Sequence, residues 1–140
     1  MRELLKHSKK ILIGGHRGCE CRYPENSIAA MEEGMRQGAD YLEIDVQLSK
    51  DGKAVIVHDV KPEKGGLTGY VHEHDFSELK AAIPGLCTLR EALEWGKEKG
   101  AWFGLELKTV PYDMKKANRK LLTVMTEELR LTGMTERVFA

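Results

Sequence analysis

The sequence predicts an α/β chain with a parallel sheet wrapped by helices. Two observations carry this expectation. Strand-like apolar runs alternate with helical periodicities in the order strand, helix, strand, hairpin, insertion, helix, strand, helix, strand. Three of those strands also end in charged triplets: His16-Arg17-Gly18, Glu43-x-Asp45 and Glu106-x-Lys108. Such residues at strand ends converge on one end of a sheet, the end where (β/α) barrels keep their chemistry.

Taken in order, Ile11-Leu12-Ile13 is an unbroken apolar run ending at Gly14-Gly15, which suits a strand covered on both faces. Ile28, Met31 and Met35 then recur at helical spacing, with Asn26 or Ser27 able to cap the start and Gly38 the end. Residues 41–48 alternate. Leu42, Ile44, Val46 and Leu48 face the helices, while Tyr41, Glu43, Asp45 and Gln47 face inward.

Asp51-Gly52 between two apolar runs signals a two-residue hairpin. That turn would pair His58 with Asp45, Val46 with Val57 and Leu48 with Val55, returning a histidine to the carboxylates.

Residues 60–86 carry little periodicity and read as a loop-rich insertion, at about 59–87, with a short helix from Phe76 to Ala82. Thr88-Leu89-Arg90-Glu91 is a capping box opening a helix that closes at Gly100. Phe103, Leu105 and Leu107 alternate with inward Gly104, Glu106 and Lys108. Met114, Ala117, Leu121, Leu122, Met125 and Leu129 form a long amphipathic helix ended by Gly133, and a further strand begins near Arg137.

Composition narrows the function. Apolar residues make up 41% and charged residues 31%, as in a soluble globular chain. The 22 basic and 22 acidic residues cancel, which gives no support for nucleic-acid or membrane-surface binding. No apolar run approaches the roughly 18 residues of a membrane helix. The first residues lack a signal-peptide core, so a cytoplasmic location is expected. Three cysteines argue against a disulfide framework. Cys19-x-Cys21 reads either as a redox or soft-metal pair or as two reduced loop thiols, since no second Cys/His pair completes a zinc set.

Glu43 and Asp45 share one strand face. Two adjacent buried carboxylates are costly unless a cation joins them. With Glu106 they make a three-carboxylate set for a hard divalent ion, Mg²⁺ or Ca²⁺. Ion pairing with Arg17 or Lys108 is the plainer reading of any one of them. Two histidines beside such a set, His16 and His58, can divide proton transfer between them. Arg17 can grip a phosphate with paired donors, and Lys108 can add a point charge. His7, His72 and His74 read as surface residues, Trp95 and Trp102 as packing, and Lys115-Lys116 with Arg119-Lys120 as a solvated helix face.

The ordered motifs resemble glycerophosphodiester phosphodiesterases. They are His16-Arg17-Gly18 followed by Pro24-Glu25-Asn26-Ser27, then Gly38-Ala39-Asp40 with Glu43-x-Asp45-Val46, Asp51-Gly52, Val57-His58-Asp59, Pro84-x-Leu86, Leu89-x-Glu91-Ala92-Leu93 and Leu105-Glu106-Leu107-Lys108. The resemblance spans about residues 11 to 108, with weaker similarity beyond.

It implies a TIM (β/α)₈-type barrel of which this chain holds about four of the eight strands, as one partial domain over residues 1–140. It further implies divalent-cation-dependent hydrolysis of glycerophosphodiesters to glycerol 3-phosphate and an alcohol, within lipid and glycerol metabolism. Glu43, Asp45 and Glu106 would be the metal ligands, His16 and His58 the acid/base pair, and Arg17 and Lys108 the substrate contacts. Val60-Lys61-Pro62-Glu63-Lys64-Gly65 departs from the family's usual arginine- and threonine-bearing stretch.

An open half-barrel has unpaired edges, so a homo-oligomer or a missing C-terminal half is expected. The alternatives are a phospholipase D-like lyase that forms a cyclic phosphate, and an inactive truncated binding or assembly subunit.

Overall fold

A computed structural model of the chain describes residues 11–19, 21–108 and 115–140. His7 and Met114 lie outside the described residues. The strands are β1 (Gly14–His16), β2 (Tyr41–Leu48), β3 (Ala54–Ile56), β4 (Phe103–Leu107) and β5 (Val138–Phe139). The helices are α1 (Ile28–Arg36), α2 (Phe76–Ala82), α3 (Leu89–Lys99) and α4 (Lys115–Thr132). The sheet runs β1-β2-β4-β5 with every neighbour parallel, and β3 is added antiparallel to β2.

The alternation of β2 sorts side chains onto two faces. Leu42, Ile44, Val46 and Leu48 join Phe103 and Leu105 of β4 in a core with Met31 of α1, Leu93 of α3 and Met125 of α4. Each such large side chain contributes roughly 1.5–3 kcal/mol by leaving water. This face fixes the strands. The opposite face is thereby left to Tyr41, Glu43, Asp45 and Gln47.

Helix boundaries follow their signals. The Ser27 hydroxyl accepts from the Ala30 N–H at 3.1 Å and caps α1. Thr88 and Glu91 form the expected capping box of α3, and Gly100 ends it in the left-handed region.

Four expectations are corrected. The strand begins at Gly14 instead of within Ile11–Ile13, and Ile11 and Ile13 are exposed. The reason is position: β1 is a sheet edge, and no described element covers this run. The Ile13 backbone is still tied to Asp40, whose carboxylate accepts from the Ile13 N–H at 2.9 Å.

The hairpin is also shifted by one residue. Val46 lies opposite Ile56 and Leu48 opposite Ala54. The loop has three residues, Lys50, Asp51 and Gly52, and only Gly52 takes positive φ (+83°). The cause is Ser49, whose hydroxyl donates to Asp51 at 2.7 Å and accepts from the Lys53 N–H at 2.9 Å. Asp51 also accepts from the Phe76 N–H, so its carboxylate is drawn into holding the loop against α2. Val55 and Val57 consequently turn to the other face, where they form a second core with Val71, Leu79 and Leu86 of the segment after β3.

Leu122, expected on the packed face of α4, is exposed. His72 and His74 are half-buried instead of superficial. His72 stacks on Tyr70, and His74 Nε2 contacts the Thr68 carbonyl at 2.7 Å. Trp95 packs against the main core, as expected.

Candidate active site

β1, β2 and β4 are adjacent and parallel, so their C-terminal ends lie side by side. His16 is in register with Glu43, and Asp45 with Glu106. Strand parity then turns Glu43, Asp45 and Glu106 to one face. One carboxylate oxygen from each lies within 4.8 Å of the others.

Asp45 is buried and held from several sides. Asn26 Nδ2 donates to its Oδ2 at 2.8 Å, while the Asp45 N–H donates to Asn26 Oδ1 at 3.1 Å. The Arg17 guanidinium lies 3.5 Å from the same Oδ2 and also pairs with Glu25 at 2.8 Å. The Arg17 backbone N–H donates to Glu43 at 3.2 Å. Arg17 adopts φ +52°, and Gly18 follows at +86°. A Cβ on Gly18 would meet the Ala30 carbonyl carbon at 2.5 Å, so only glycine lets this turn pass against α1.

Lys108 closes the other side. Its ammonium is 3.0 Å from Asp45 Oδ1 and pairs with Glu106. Burial works to lower its pKa, but the bonds to Glu106 and Asp45 prevail and raise it. Burial raises Glu43 above the ordinary carboxylate value, with the Arg17 N–H opposing. The buried Asp45 Oδ1 makes no well-aligned hydrogen bond. The acids therefore already gather one cation, the lysine ammonium, and keep a buried oxygen without an aligned donor. That donor set fits a hard divalent ion.

His58 does not stand opposite Asp45, because the hairpin shift puts Val57 there and the Val57 N–H donates to the Asp45 carbonyl at 2.9 Å. His58 is brought back by another route. Gln47 Nε2 contacts the carbonyls of Val57, His58 and Asp59 at 2.9, 3.1 and 3.1 Å. The chain turns there, and His58 lines an open cleft of about 450 Å³ with Asp59, Lys61 and Lys108. His58 Nδ1 and Asp59 Oδ1 are 2.9 Å apart. A second cavity, about 290 Å³ and mainly apolar, adjoins it between Pro24, Val57 and Ile83.

Sequence reasoning gave no site role to Asn26, Gln47, Asp59 or Glu25. Parity had placed Gln47 on the inward face, and that was its only signal. Of the two candidate caps, Asn26 and Ser27, it is Ser27 that caps α1, which frees the Asn26 amide for Asp45.

A model of the glycerophosphoryl diester phosphodiesterase family matches residues 16–132. A Bacillus subtilis relative, the uncharacterized protein YqiK, is 34% identical over 111 residues, covering 69% of this chain and 44% of its own length. A Bacillus altitudinis glycerophosphodiester phosphodiesterase is 42% identical over 69 residues, or 49% of this chain and 28% of that protein. Among solved structures, an Oleispira antarctica phosphodiesterase in complex with the product sn-glycerol-3-phosphate superposes with a TM-score of 0.72 at 29% identity, covering 86% of this chain and 52% of that one. The chain thus spans less than half the length of these curated relatives and about half of that solved chain.

Proposed function

We propose a hydrolytic function for this chain, which belongs to the glycerophosphoryl diester phosphodiesterase family and folds as part of that family's α/β barrel. The reaction is hydrolysis of a glycerophosphodiester to glycerol 3-phosphate and an alcohol. The single observation that carries this reading is the convergence of Glu43, Asp45 and Glu106 within 4.8 Å, beside Arg17 and Lys108.

Glu43, Asp45 and Glu106 would hold the divalent cation, Mg²⁺ or Ca²⁺. When bound, such an ion neutralises charge on the phosphodiester oxygens. Arg17 and Lys108 bind the phosphate. Arg17 offers a planar fork of donors, and Lys108 a point charge that can move from the carboxylates to substrate. His16, at the end of β1, takes the proton of the attacking hydroxyl, whether water or the glycerol 2-hydroxyl. His58 protonates the leaving alcohol. With Nδ1 committed to Asp59, Nε2 is the ring nitrogen that transfers the proton. The apolar cavity beside Asp59 takes the alcohol. Whatever supplies the remaining wall, a second copy or further chain, leaves these seven residues in the half described.

The test is turnover of glycerophosphocholine with Mg²⁺ or Ca²⁺, with the product read by phosphorus NMR. Glycerol 3-phosphate is expected; a cyclic phosphate would instead establish the lyase reaction. His16→Ala is expected to lower kcat by about 10²–10⁴-fold while circular dichroism stays unchanged. Unaltered turnover in that variant would remove His16 from the mechanism.

A further inference from the structure

The loop leaving β1 carries two thiols that the phosphodiesterase reading does not use. Cys19 and Cys21 are both reduced; Cys19 is half-buried and Cys21 exposed. Their sulfurs are 2.7 Å apart. The contact is held from both sides. The Cys19 N–H donates to the Ala30 carbonyl at 2.9 Å, and Gln37 Nε2 approaches Cys21 Sγ at 3.5 Å.

Among the described residues, no zinc site is completed here. A structural zinc takes four ligands. The carboxylate facing this loop belongs to Glu33, which is engaged by Arg36 and Gln37. The remaining cysteine, Cys87, is a different kind of thiol. It is buried, points at the Asn26 carbonyl, and burial pushes it up to about 12. The chain therefore holds one accessible dithiol and one inert thiol.

We propose that Cys19 and Cys21 form a thiol–disulfide exchange site whose reaction partner is a low-molecular-weight disulfide. One cysteine thiolate attacks a sulfur of R–S–S–R, forming a mixed disulfide and releasing RS⁻, which takes up the proton the cysteine lost. The second cysteine, deprotonated in turn, attacks the protein sulfur of that mixed disulfide and releases the second R–SH. Two protein S–H bonds and one external S–S bond are replaced by one protein S–S bond and two external S–H bonds. The protein dithiol is oxidised by two electrons and the external disulfide is reduced. The bond to Cys19 holds Cys21 above its ordinary thiol value, so exchange accelerates on the alkaline side of neutrality.

The experiment uses the full chain and oxidised glutathione at mildly alkaline pH, with acid quench, proteolysis and mass spectrometry; it reads no turnover. The expected product has lost two hydrogens, links Cys19 to Cys21, and leaves Cys87 unmodified until denaturant is added. Cys21→Ser is expected to trap one glutathione on Cys19. Stable separate adducts on Cys19 and Cys21 of the parent would overturn the proposal, as would a parent that remains fully reduced.

Discussion

Asp45 is the most buried carboxylate of the site, and Asn26 holds it together with Arg17 and Lys108. The reciprocal amide–carboxylate pair with Asn26 fills one Asp45 oxygen and the Asp45 N–H together. Asn26→Ala leaves both buried groups without that partner, at about 1–3 kcal/mol each. It also places alanine at φ +59°. A lowered urea midpoint is expected, and an unchanged midpoint would show that the clamp contributes nothing. Gln47 acts on His58 in a comparable way, through the backbone. Gln47→Leu keeps the volume but frees three carbonyls, and it is expected to depress kcat more than it raises KM, with the alkaline limb of the pH–rate profile altered, because His58 acts in its protonated form. The register expected for His58 is not the one observed. The grouping of Glu43, Asp45 and Glu106 was legible because strand parity and strand ends fix their direction. Asn26 and Gln47 were not, because an amide's role depends on which carboxylate or carbonyl the tertiary fold brings to it.

At the scale of elements, local signals held where one motif acted alone and failed where two competed. The Thr88–Glu91 capping box and the Gly100 stop set α3 as expected. The Asp51-Gly52 turn did not, because Ser49 closes a three-residue loop and Phe76 recruits Asp51. Gly52→Ala, at φ +83°, is therefore expected to cost about 1–2 kcal/mol, measured by denaturant titration. In α1 the link runs through charge. Arg36 first, and then Gln37, hold the Glu33 carboxyl down to about 2. A depressed carboxylate stabilises the fold above its ordinary value of 4.5, and that contribution is lost as pH falls from 4.5 through 2. Glu33→Gln should thus unfold earlier than the parent at pH 6, with the gap closing near pH 2.5. Thermal melts at the two pH values check it, and a gap independent of pH would refute it.

At the scale of the molecule, the sheet has two ends and the chemistry sits between them. β2 and β4 lie at the centre, flanked by β1 and β5, and these two central strands carry the converging acids. Among the described residues β1 and β5 each have one sheet neighbour, so each presents an outer edge of N–H and C=O groups with no strand beside it. The apolar run before β1 strengthens that edge. Ile11 is 90% and Ile13 60% exposed, and the chain spans 57% and 52% of two solved relatives' lengths. The run read as a doubly covered strand because its composition is that of one; what covers it is not among the described residues. We therefore expect the 140-residue chain to associate through these edges at micromolar concentration. Ile13→Lys places a charge on the β1 edge without touching the carboxylates, and it is expected to shift the chain toward monomer in sedimentation velocity. A parent chain that sediments as a monomer at every concentration, with native-like circular dichroism, would show that the open edges are stable as they stand.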